Sequence, residues 1–286
     1  MDIKIRHVHI FPKRDNPRVR EKAEELASLL HSLQVTSEIV TGEESPHHPP
    51  QMVVVLGGDG TFLSAVHLYA PLAVPLLGID MGGLGFLAEV SVDHLFDTII
   101  EVVKGRFTVE NRMMAQCEIV HENQKVETDF ALNDVVIYRG PFAQMIRLST
   151  HIDDEFLASF PADGLIVATP TGSSAYSLSA GGPVVFPTLD LFIVTPICAH
   201  TLYARSIVVP PTSSIKIVLE SMKEGTMVTL DGQRGYALAR GEYLVVHKAS
   251  FPASLVKLPR ERHFYSLLRT KLSWGIDIRK RVNEEC

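Results

Sequence analysis

The sequence predicts an α/β first domain, doubly wound and Rossmann-like, followed by a mostly-β second domain and a C-terminal helix that packs back. Strand, glycine turn and helix recur in that order in the first third of the chain. After about residue 108 the runs become short and β-rich, and polar or Gly/Pro turns separate them. We therefore expect boundaries of 1–108 for the α/β domain, 109–258 for the β-rich domain, and 259–286 for a helical tail that returns to the first domain.

The first domain is predicted from its apolar patterning. MVVVL at 52–56 is a continuous, mostly β-branched run, which is typical of a strand buried on both faces of a parallel sheet. The segment 18–33 instead spaces its apolar residues as a helix does, with charges between them. The predicted elements in chain order are a strand at 3–11, a helix at 18–33, a surface loop at 41–51, a strand at 52–56, a helix from about 61 to 69, and a strand at 75–79.

The second domain is predicted from short β-rich runs without a convincing long helix between them. In the tail, Phe264, Leu267, Leu268 and Leu272 lie at helical spacing and predict the C-terminal helix. The predicted strands of the second domain are 115–121, 133–138, 145–152, 165–169, 207–209, 215–219, 227–230 and 243–247.

Composition excludes several classes of protein. With 46% hydrophobic residues the chain can bury a sizeable core, and a net charge of −6 argues against nucleic acid or an anionic membrane as main partner. We see no apolar run near the ~20 residues that cross a bilayer, and no signal peptide at the N-terminus. The three cysteines are far apart and form no CxxC pair, which favours reduced thiols in a cytoplasmic protein.

GGDGT at 57–61 directly follows the buried strand and is the first motif that carries chemistry. Glycines let backbone N–H groups approach phosphate oxygens, and Thr61 can cap the helix that follows. Asp59 then supplies a carboxylate beside the phosphates, where it can accept a proton from a hydroxyl nucleophile. The same pattern also occurs as a tight turn with a solvated aspartate.

Other nucleotide and metal motifs receive less support. GxxxxGK[ST] does not occur, which excludes a P-loop. GLGFLA at 83–88 fits G-x-G-x-x-[GA] loosely, but with no clear helix after it, glycines for a turn and close packing explain it better than a dehydrogenase. His47 and His48 lack the spacing of zinc ligands and are expected to be solvated. Any required metal is expected to be Mg²⁺ on a triphosphate, with no dedicated protein cage.

Five motifs in a fixed order resemble one family. They are GGDGTFLSA at 57–65, GIDMGGLGFL at 78–87, LNDVVI at 132–137, DGLIVATPTGSSAYSLSAGGPVV at 163–185 and DGQ at 231–233. Together they resemble the NAD kinase family. GGDGT alone is shared with lipid kinases related to diacylglycerol kinase and with phosphofructokinase-like enzymes, whereas the TPTGSSAYSLSAGGP stretch is far more specific.

The resemblance implies the reaction and its partners. The family transfers the γ-phosphate of ATP (in some members of polyphosphate) to the 2′-hydroxyl of the adenosine ribose of NAD, giving NADP. It uses a divalent cation and works as homodimers or homotetramers. Its second domain binds NAD. Two alternatives stay open from the sequence: a lipid kinase that shares GGDGT, and a dinucleotide sensor without turnover.

The resemblance also implies the site residues. Asp59 matches the family's proton acceptor, Asn133 and Asp134 match an Asn-Glu pair on ribose hydroxyls, and Asp163 matches a residue that helps to bind the dinucleotide. Residues 174–179 match the family's nucleotide-contacting turn, and Gln233 matches the Gln that reaches the site late in the chain. The chain departs from the family pattern at Asp80, where Asn is common, and at Asp134, one methylene shorter than Glu; both put exact ribose contacts in question. The full predicted set is Gly57, Gly58, Asp59, Gly60, Thr61, Asn133, Asp134, Asp163, Ser174, Ala175, Tyr176, Ser177, Leu178, Ser179 and Gln233.

Overall fold

The computed structural model describes residues 5–40, 46, 48–82, 85–88, 90–140, 145–221, 225–259 and 264–272. Most of the predicted loop at 41–51, including His47, lies outside these residues. The chain divides into two compact units. The first unit consists of three segments of the chain and the second of two. Unit 1 comprises Met1–Ala65, Leu76–Val109 and Val256–Cys286, and unit 2 comprises Val66–Pro75 and Glu110–Leu255.

Strands and helices alternate through the first third of the chain, as expected from its patterning. The elements are β1 (His7–Pro12), α1 (Pro17–Ser32), β2 (Thr36–Ile39), β3 (Met52–Gly57), α2 (Asp59–Tyr69), β4 (Leu76–Asp80), β5 (Val90–Ser91), α3 (Leu95–Val103) and β6 (Thr108–Arg112).

The remaining chain is almost entirely β until its last helix. The elements are β7 (Ala115–Val120), β8 (Val126–Ala131), β9 (Asp134–Tyr138), β10 (Ile146–Ile152), β11 (Glu155–Ala162), β12 (Gly164–Ala168), α4 (Tyr176–Ser179), β13 (Phe192–Ile197), β14 (Ile207–Val209), β15 (Ile215–Leu219), β16 (Thr226–Leu230), β17 (Arg234–Leu238), β18 (Tyr243–Lys248), β19 (Ala253–Lys257) and α5 (Phe264–Leu272).

The first sheet has the order β2-β1-β3-β4-β19-β6, with β5 beside β4. β1 pairs in parallel with β2 and β3, and β3 pairs in parallel with β4. Leu77 and Ile79 of β4 share one core with buried residues of α1 and α3. Gly78 points to the other face, where a Cβ would lie 3.0 Å from the ring of Phe62 in α2. Helices therefore cover both faces, and the doubly wound prediction is confirmed.

Helix α1 begins where the sequence provides a cap. The side chain of Asn16 accepts a hydrogen bond from the Val19 N–H at 3.3 Å, and Pro17 occupies the first helical position, where its missing N–H costs nothing. The residues that α1 buries recur at helical spacing on the face toward the sheet, which anchors the helix there. They are Val19, Ala23, Leu26 and Leu30.

Unit 2 contains two antiparallel sheets, which confirms the mostly-β second domain. Their strand orders are β11-β10-β15-β18-β7-β8 and β14-β13-β12-β9-β16-β17. Alternate residues of both sheets form a single core, which includes Leu148 and Leu244 from the first sheet and Leu165 and Phe192 from the second. The other face of the second sheet buries Ile166 and Ile193 in a smaller cluster.

Helix α5 confirms the prediction of a C-terminal helix. Leu267 and Leu268 are buried, and the ammonium of Lys271 lies 5.2 Å from the centre of the Phe86 ring in the same unit. None of the helices in the described part of the chain is long and apolar enough to cross a membrane.

Two helices differ in detail from the prediction. Helix α2 begins at Asp59, two residues before the expected start, because the chain completes its turn at Gly57 and Gly58 alone. Strand β5 follows the GLGFLA segment, and α3, which was not predicted, begins only at Leu95. Its signal was present in the sequence: Leu95, Ile99 and Val102 are buried at helical spacing.

Candidate active site

The glycine elbow before α2 brings Asp59 into the first helical turn. A Cβ at Gly57 would lie 2.4 Å from the hydroxyl oxygen of Thr61, so glycine is required for this close approach. Thr61 therefore lies against the elbow inside the first turn and does not cap the helix. A Cβ at Gly58 would meet no described atom within 4 Å, so the elbow is open on that side. Aspartate in a first turn is favoured by the helix dipole.

Three consecutive backbone N–H groups hold the carboxylate of Asp59. Its Oδ2 accepts from Phe86 at 2.7 Å, and its Oδ1 accepts from Leu87 at 2.9 Å and from Ala88 at 3.4 Å. Gly85 packs so closely that a Cβ there would lie 2.1 Å from Oδ1. A carboxylate offers about four acceptor sites, so Asp59 keeps capacity for one further donor. The side chain is half-buried, which leaves that capacity accessible.

The GLGFLA segment thus has a role that sequence reasoning missed. Gly83 and Leu84 lie outside the described residues, but Gly85 to Ala88 form the support of Asp59. The available signal was topological: β3 and β4 are parallel neighbours with Gly57 opposite Asp80, so the segments that follow them meet at one edge of the sheet. Asp80 itself accepts a hydrogen bond from the Gly82 N–H at 3.0 Å.

In unit 2, Asp231 holds the Asn133–Asp134 turn in the same manner. Its carboxylate accepts from the N–H groups of Leu132 at 2.9 Å, Asn133 at 2.7 Å and Asp134 at 3.1 Å. The Asp231 N–H donates to the Asp134 carbonyl at 2.9 Å. Asp231 has φ +53°, a left-handed conformation that Asp tolerates better than most residues. The DGQ turn therefore fixes the backbone of the predicted ribose-binding pair.

His67 completes this buried cluster. Its Nε2 lies 3.2 Å from Asp231 Oδ2, and the two side chains are 3% and 0% exposed. Asp134 is also buried, and desolvation, with a smaller effect of the Asp231 charge, raises the pKa of Asp134 to about 7. The predicted ribose ligand Asp134 is therefore a carboxyl group that changes its charge near neutral pH.

The Thr/Ser-rich turn after β12 packs directly on Asn133. The Thr169 N–H donates to the Asn133 carbonyl at 2.9 Å, and the Thr169 hydroxyl donates to the Leu132 carbonyl at 2.5 Å. A Cβ at Gly172 would lie 2.0 Å from the Asn133 carbonyl oxygen. The predicted ribose pair is thus in backbone contact with residues 169–172, which lead into the predicted nucleotide-contacting residues 174–179.

Within that turn, the predicted residues differ in accessibility. Tyr176 is 46% exposed, and its pKa is raised by burial first and then by the neighbouring Cys198, Asp134 and Asp163. Ser177 is fully buried and shares a hydrogen bond of 3.1 Å with Thr195, so its side chain supports the turn. Of the others, Ser174, Ala175 and Leu178 are half-buried and Ser179 is exposed.

Asp163 and Gln233 lie at opposite ends of the second sheet, since Gly164 pairs with Tyr138 whereas Leu230 pairs with Val135, next to Asp134. Asp163 precedes β12 and forms an ion pair with Arg139, whose Nε donates to Oδ1 at 2.7 Å. Gln233 is exposed in the turn between β16 and β17. Arg139 and His67 carry no motif, so sequence reasoning missed both, whereas Asp231 stood in the quoted DGQ motif without an assigned role.

The described residues offer no carboxylate cage around Asp59 for a divalent cation. Both Asp59 oxygens accept backbone N–H groups, and the one cluster of three or more His, Cys, Asp or Glu donors found in this part of the chain is His7, His9 and Glu38.

A doubly wound unit with a glycine elbow and a fixed carboxylate is joined in one chain to a β-rich unit. The family model of the ATP-NAD kinase N-terminal domain matches residues 8–107, and that of the ATP-NAD kinase C-terminal domain matches residues 132–258, so this chain is a kinase. The chain belongs to the NAD kinase family, and the resemblance found in its motifs is confirmed.

Relatives match over nearly the whole chain. The NAD kinase of Moorella thermoacetica is 42% identical over 273 residues, which cover 91% of this chain and 87% of that protein. The NAD kinase of Geotalea daltonii is 38% identical over 284 residues, with 95% and 99% covered. These matches support ATP-dependent phosphorylation of NAD to NADP and set the lipid-kinase alternative aside.

Two solved structures share the fold. Yeast NADH kinase complexed with NADH superposes with a TM-score of 0.87 at 27% identity, covering 96% of this chain and 89% of that one. An NAD kinase from Archaeoglobus fulgidus in complex with ATP gives a TM-score of 0.77 at 26% identity, covering 93% and 99%.

Proposed function

We propose that Asp59 is the proton acceptor in the transfer of the γ-phosphate of ATP to the 2′-hydroxyl of the adenosine ribose of NAD. One observation carries this assignment: the Asp59 carboxylate is held by three N–H groups and is still half-exposed. A base must be held within hydrogen-bond reach of the proton that it takes, and Asp59 keeps one acceptor position for a hydroxyl. The rigid support reduces the entropy lost on reaching the reactive geometry.

The phosphates are bound at the start of α2. This eleven-residue helix points its positive end at the elbow, and the open side of Gly58 leaves room for phosphate oxygens beside the backbone. The carboxylate of Asp59 would repel these oxygens, and a divalent cation such as Mg²⁺, carried by ATP, supplies the charge that offsets the repulsion. Catalysis then consists mainly of positioning and electrostatic stabilisation of the transferred group.

The dinucleotide is bound by residues of unit 2. Asn133 and Asp134 bind ribose hydroxyls, supported by the Asp231 carboxylate behind them. Tyr176 offers an exposed ring that can lie against a base, and the backbone of 174–179 adds polar contacts. Asp163 and Gln233 complete the contacts with the dinucleotide.

The proposed protein assembles as a dimer or tetramer and is located in the cytoplasm. The buried thiol of Cys117 in the β core supports the cytoplasmic location.

The test is a direct assay of product. Purified protein is incubated with ATP, Mg²⁺ and NAD, and NADP is detected by an NADP-specific dehydrogenase. A matched reaction uses an NAD analogue that lacks only the 2′-hydroxyl of the adenosine ribose. We expect product from NAD and none from the analogue. Phosphorylation of the analogue would contradict the assigned acceptor, and binding of NAD without turnover would favour the sensor alternative.

A further inference from the structure

A second cluster of chemically active side chains lies on the first two strands, separate from the residues placed in catalysis. β1 and β2 are parallel, and His9 stands opposite Glu38 in their register. His7 lies two residues before His9 and therefore shares its face of the sheet. Val8 and Ile10 point to the core with α1, so the three polar side chains occupy the other face. The sheet geometry thus places two imidazoles and one carboxylate side by side.

The distances within this cluster suit a shared ligand. One donor atom from each of His7, His9 and Glu38 lies within 4.8 Å of the others. His9 Nε2 and Glu38 Oε2 are 3.6 Å apart. Ligands of a tetrahedral zinc ion with bonds of about 2.0–2.1 Å stand roughly 3.4 Å from one another, so small side-chain rotations close the set.

The donor set selects the kind of ion. Two imidazoles with one carboxylate, and a water in the fourth position, form a common three-ligand zinc site, whereas Mg²⁺ prefers oxygen ligands alone. His9 is 2% exposed and is held by its strand, while Glu38 is exposed and leaves an entry path for the ion.

We propose that His7, His9 and Glu38 bind one zinc ion that fastens the edge strand β2 to β1. The site is distinct from the magnesium that accompanies ATP. It uses none of the residues assigned to substrate, so it stands whether or not the proposed reaction is correct. Because the ion binds the folded sheet, it raises the free energy of unfolding by RT ln(1 + [Zn²⁺]/Kd), which grows with the logarithm of the free zinc concentration.

The test uses the full-length, untagged protein after treatment with a chelator. Zinc chloride is titrated against a chromophoric chelator, and cobalt chloride is added separately to record the visible d–d bands of Co²⁺ in a low-symmetry nitrogen–oxygen site. We expect one equivalent of zinc per chain, a rise in Tm with zinc, and cobalt bands in the wild type. Glu38→Gln, which changes an exposed side chain and leaves the fold intact, should weaken zinc binding at least tenfold, in line with losses typical of metal-site changes.

Controls separate this site from weak binding elsewhere. Glu24→Gln and His31→Gln change exposed groups of α1 and should bind zinc as the wild type does. His7→Gln gives a second test on a half-buried ligand. The proposal would be overturned if Glu38→Gln, His7→Gln and the wild type bound zinc with equal affinity. It would also be overturned if the wild type retained no zinc against the chelator. Either result would leave only an ion pair between His9 and Glu38.

Discussion

Two carboxylates, one in each unit, bind backbone in the same way. Asp59 accepts from the N–H groups of residues 86–88, and Asp231 accepts from those of residues 132–134. They differ in access to solvent. Asp59 is half-buried and begins a helix, whereas the Asp231 side chain is fully buried and has His67 at 3.2 Å.

The difference in burial indicates different roles for two carboxylates that make the same kind of hydrogen bonds. Charge-assisted hydrogen bonds fix both carboxylates, each bond contributing about 1.5–3 kcal/mol. Only a carboxylate that remains accessible can also accept a proton from a substrate, so Asp59 is suited to chemistry. Asp231 has its bonds inside the protein, so it is suited to positioning the segment that carries Asn133 and Asp134.

The largest effect is expected from Asp59→Asn. Because the amide is a far weaker base, kcat should fall about 10²–10⁴-fold, while much of the NAD affinity remains. An amide N–H₂ facing the Phe86 N–H should also cost about 1–3 kcal/mol of unfolding free energy. The coupled NADP assay and urea unfolding measure the two quantities. Asp93→Asn, at an exposed carboxylate of the same unit, is the control, and unimpaired turnover in folded Asp59→Asn would refute the assignment.

Asp231→Ala should chiefly affect stability. It leaves two buried N–H groups, the part-buried N–H of Asn133 and the side chain of His67 without the carboxylate, and we expect the unfolding free energy to fall by about 3–5 kcal/mol. Asp231→Asn keeps part of the bonding and should lose less, which gives a folded variant for measuring the KM for NAD. That KM should rise as the Asn133–Asp134 turn loosens. A smaller stability loss in Asp231→Ala than in Asp59→Asn would break the comparison.

Asp134→Asn tests the buried carboxyl through pH. The pKa of Asp134 is about 7 in the folded protein against an ordinary 3.8, so the native state holds its proton more tightly than the unfolded chain. Its contribution to stability is therefore full below about pH 4 and is lost as pH rises to about 7. Relative to Asp134→Asn, the wild type should lose roughly 2–4 kcal/mol across this window. Urea unfolding of both proteins between about pH 4.5 and pH 8 measures this difference in the free energy of unfolding. If the free energies of the two proteins changed in parallel with pH, the raised pKa of Asp134 would be contradicted.

The smallest effect is expected from Gly85→Ala. The new Cβ would lie 2.1 Å from Asp59 Oδ1, so the carboxylate must shift, and we expect a loss of kcat of at most about 10²-fold. Gly235→Ala is the matched control, because its Cβ would meet its nearest atom at 3.6 Å. Equal turnover in the two variants would show that the position of Asp59 is not critical.

The sequence predicted those parts of the fold and site that are local. The strand, elbow and helix around Asp59 follow from a β-branched run, two glycines and a helix-compatible segment, all within twenty residues. The contacts of Asp59 with Phe86 and of Asp231 with Asn133 depend on which strand ends meet, and no local pattern encodes that. Helix α3 could have been predicted from local sequence, because its buried apolar residues recur at helical spacing.

The raised pKa of Asp134 could not be predicted either, because it depends on burial by residues distant in the chain. Its family counterpart is a glutamate, and only the structure shows that this shorter side chain lies buried beside a second carboxylate. The contact of His67 with Asp231, which lies 164 positions later in the chain, could not be predicted for the same reason.

Gly172 determines how closely two loops of unit 2 approach each other. Because no side chain fits between this residue and the Asn133 carbonyl, the two loops approach until their main-chain atoms touch. Their separation is thus defined by atomic radii that are the same in every polypeptide. In a library of all substitutions at position 172, only the clones with glycine should therefore be active, whatever substitutions the surrounding surface carries.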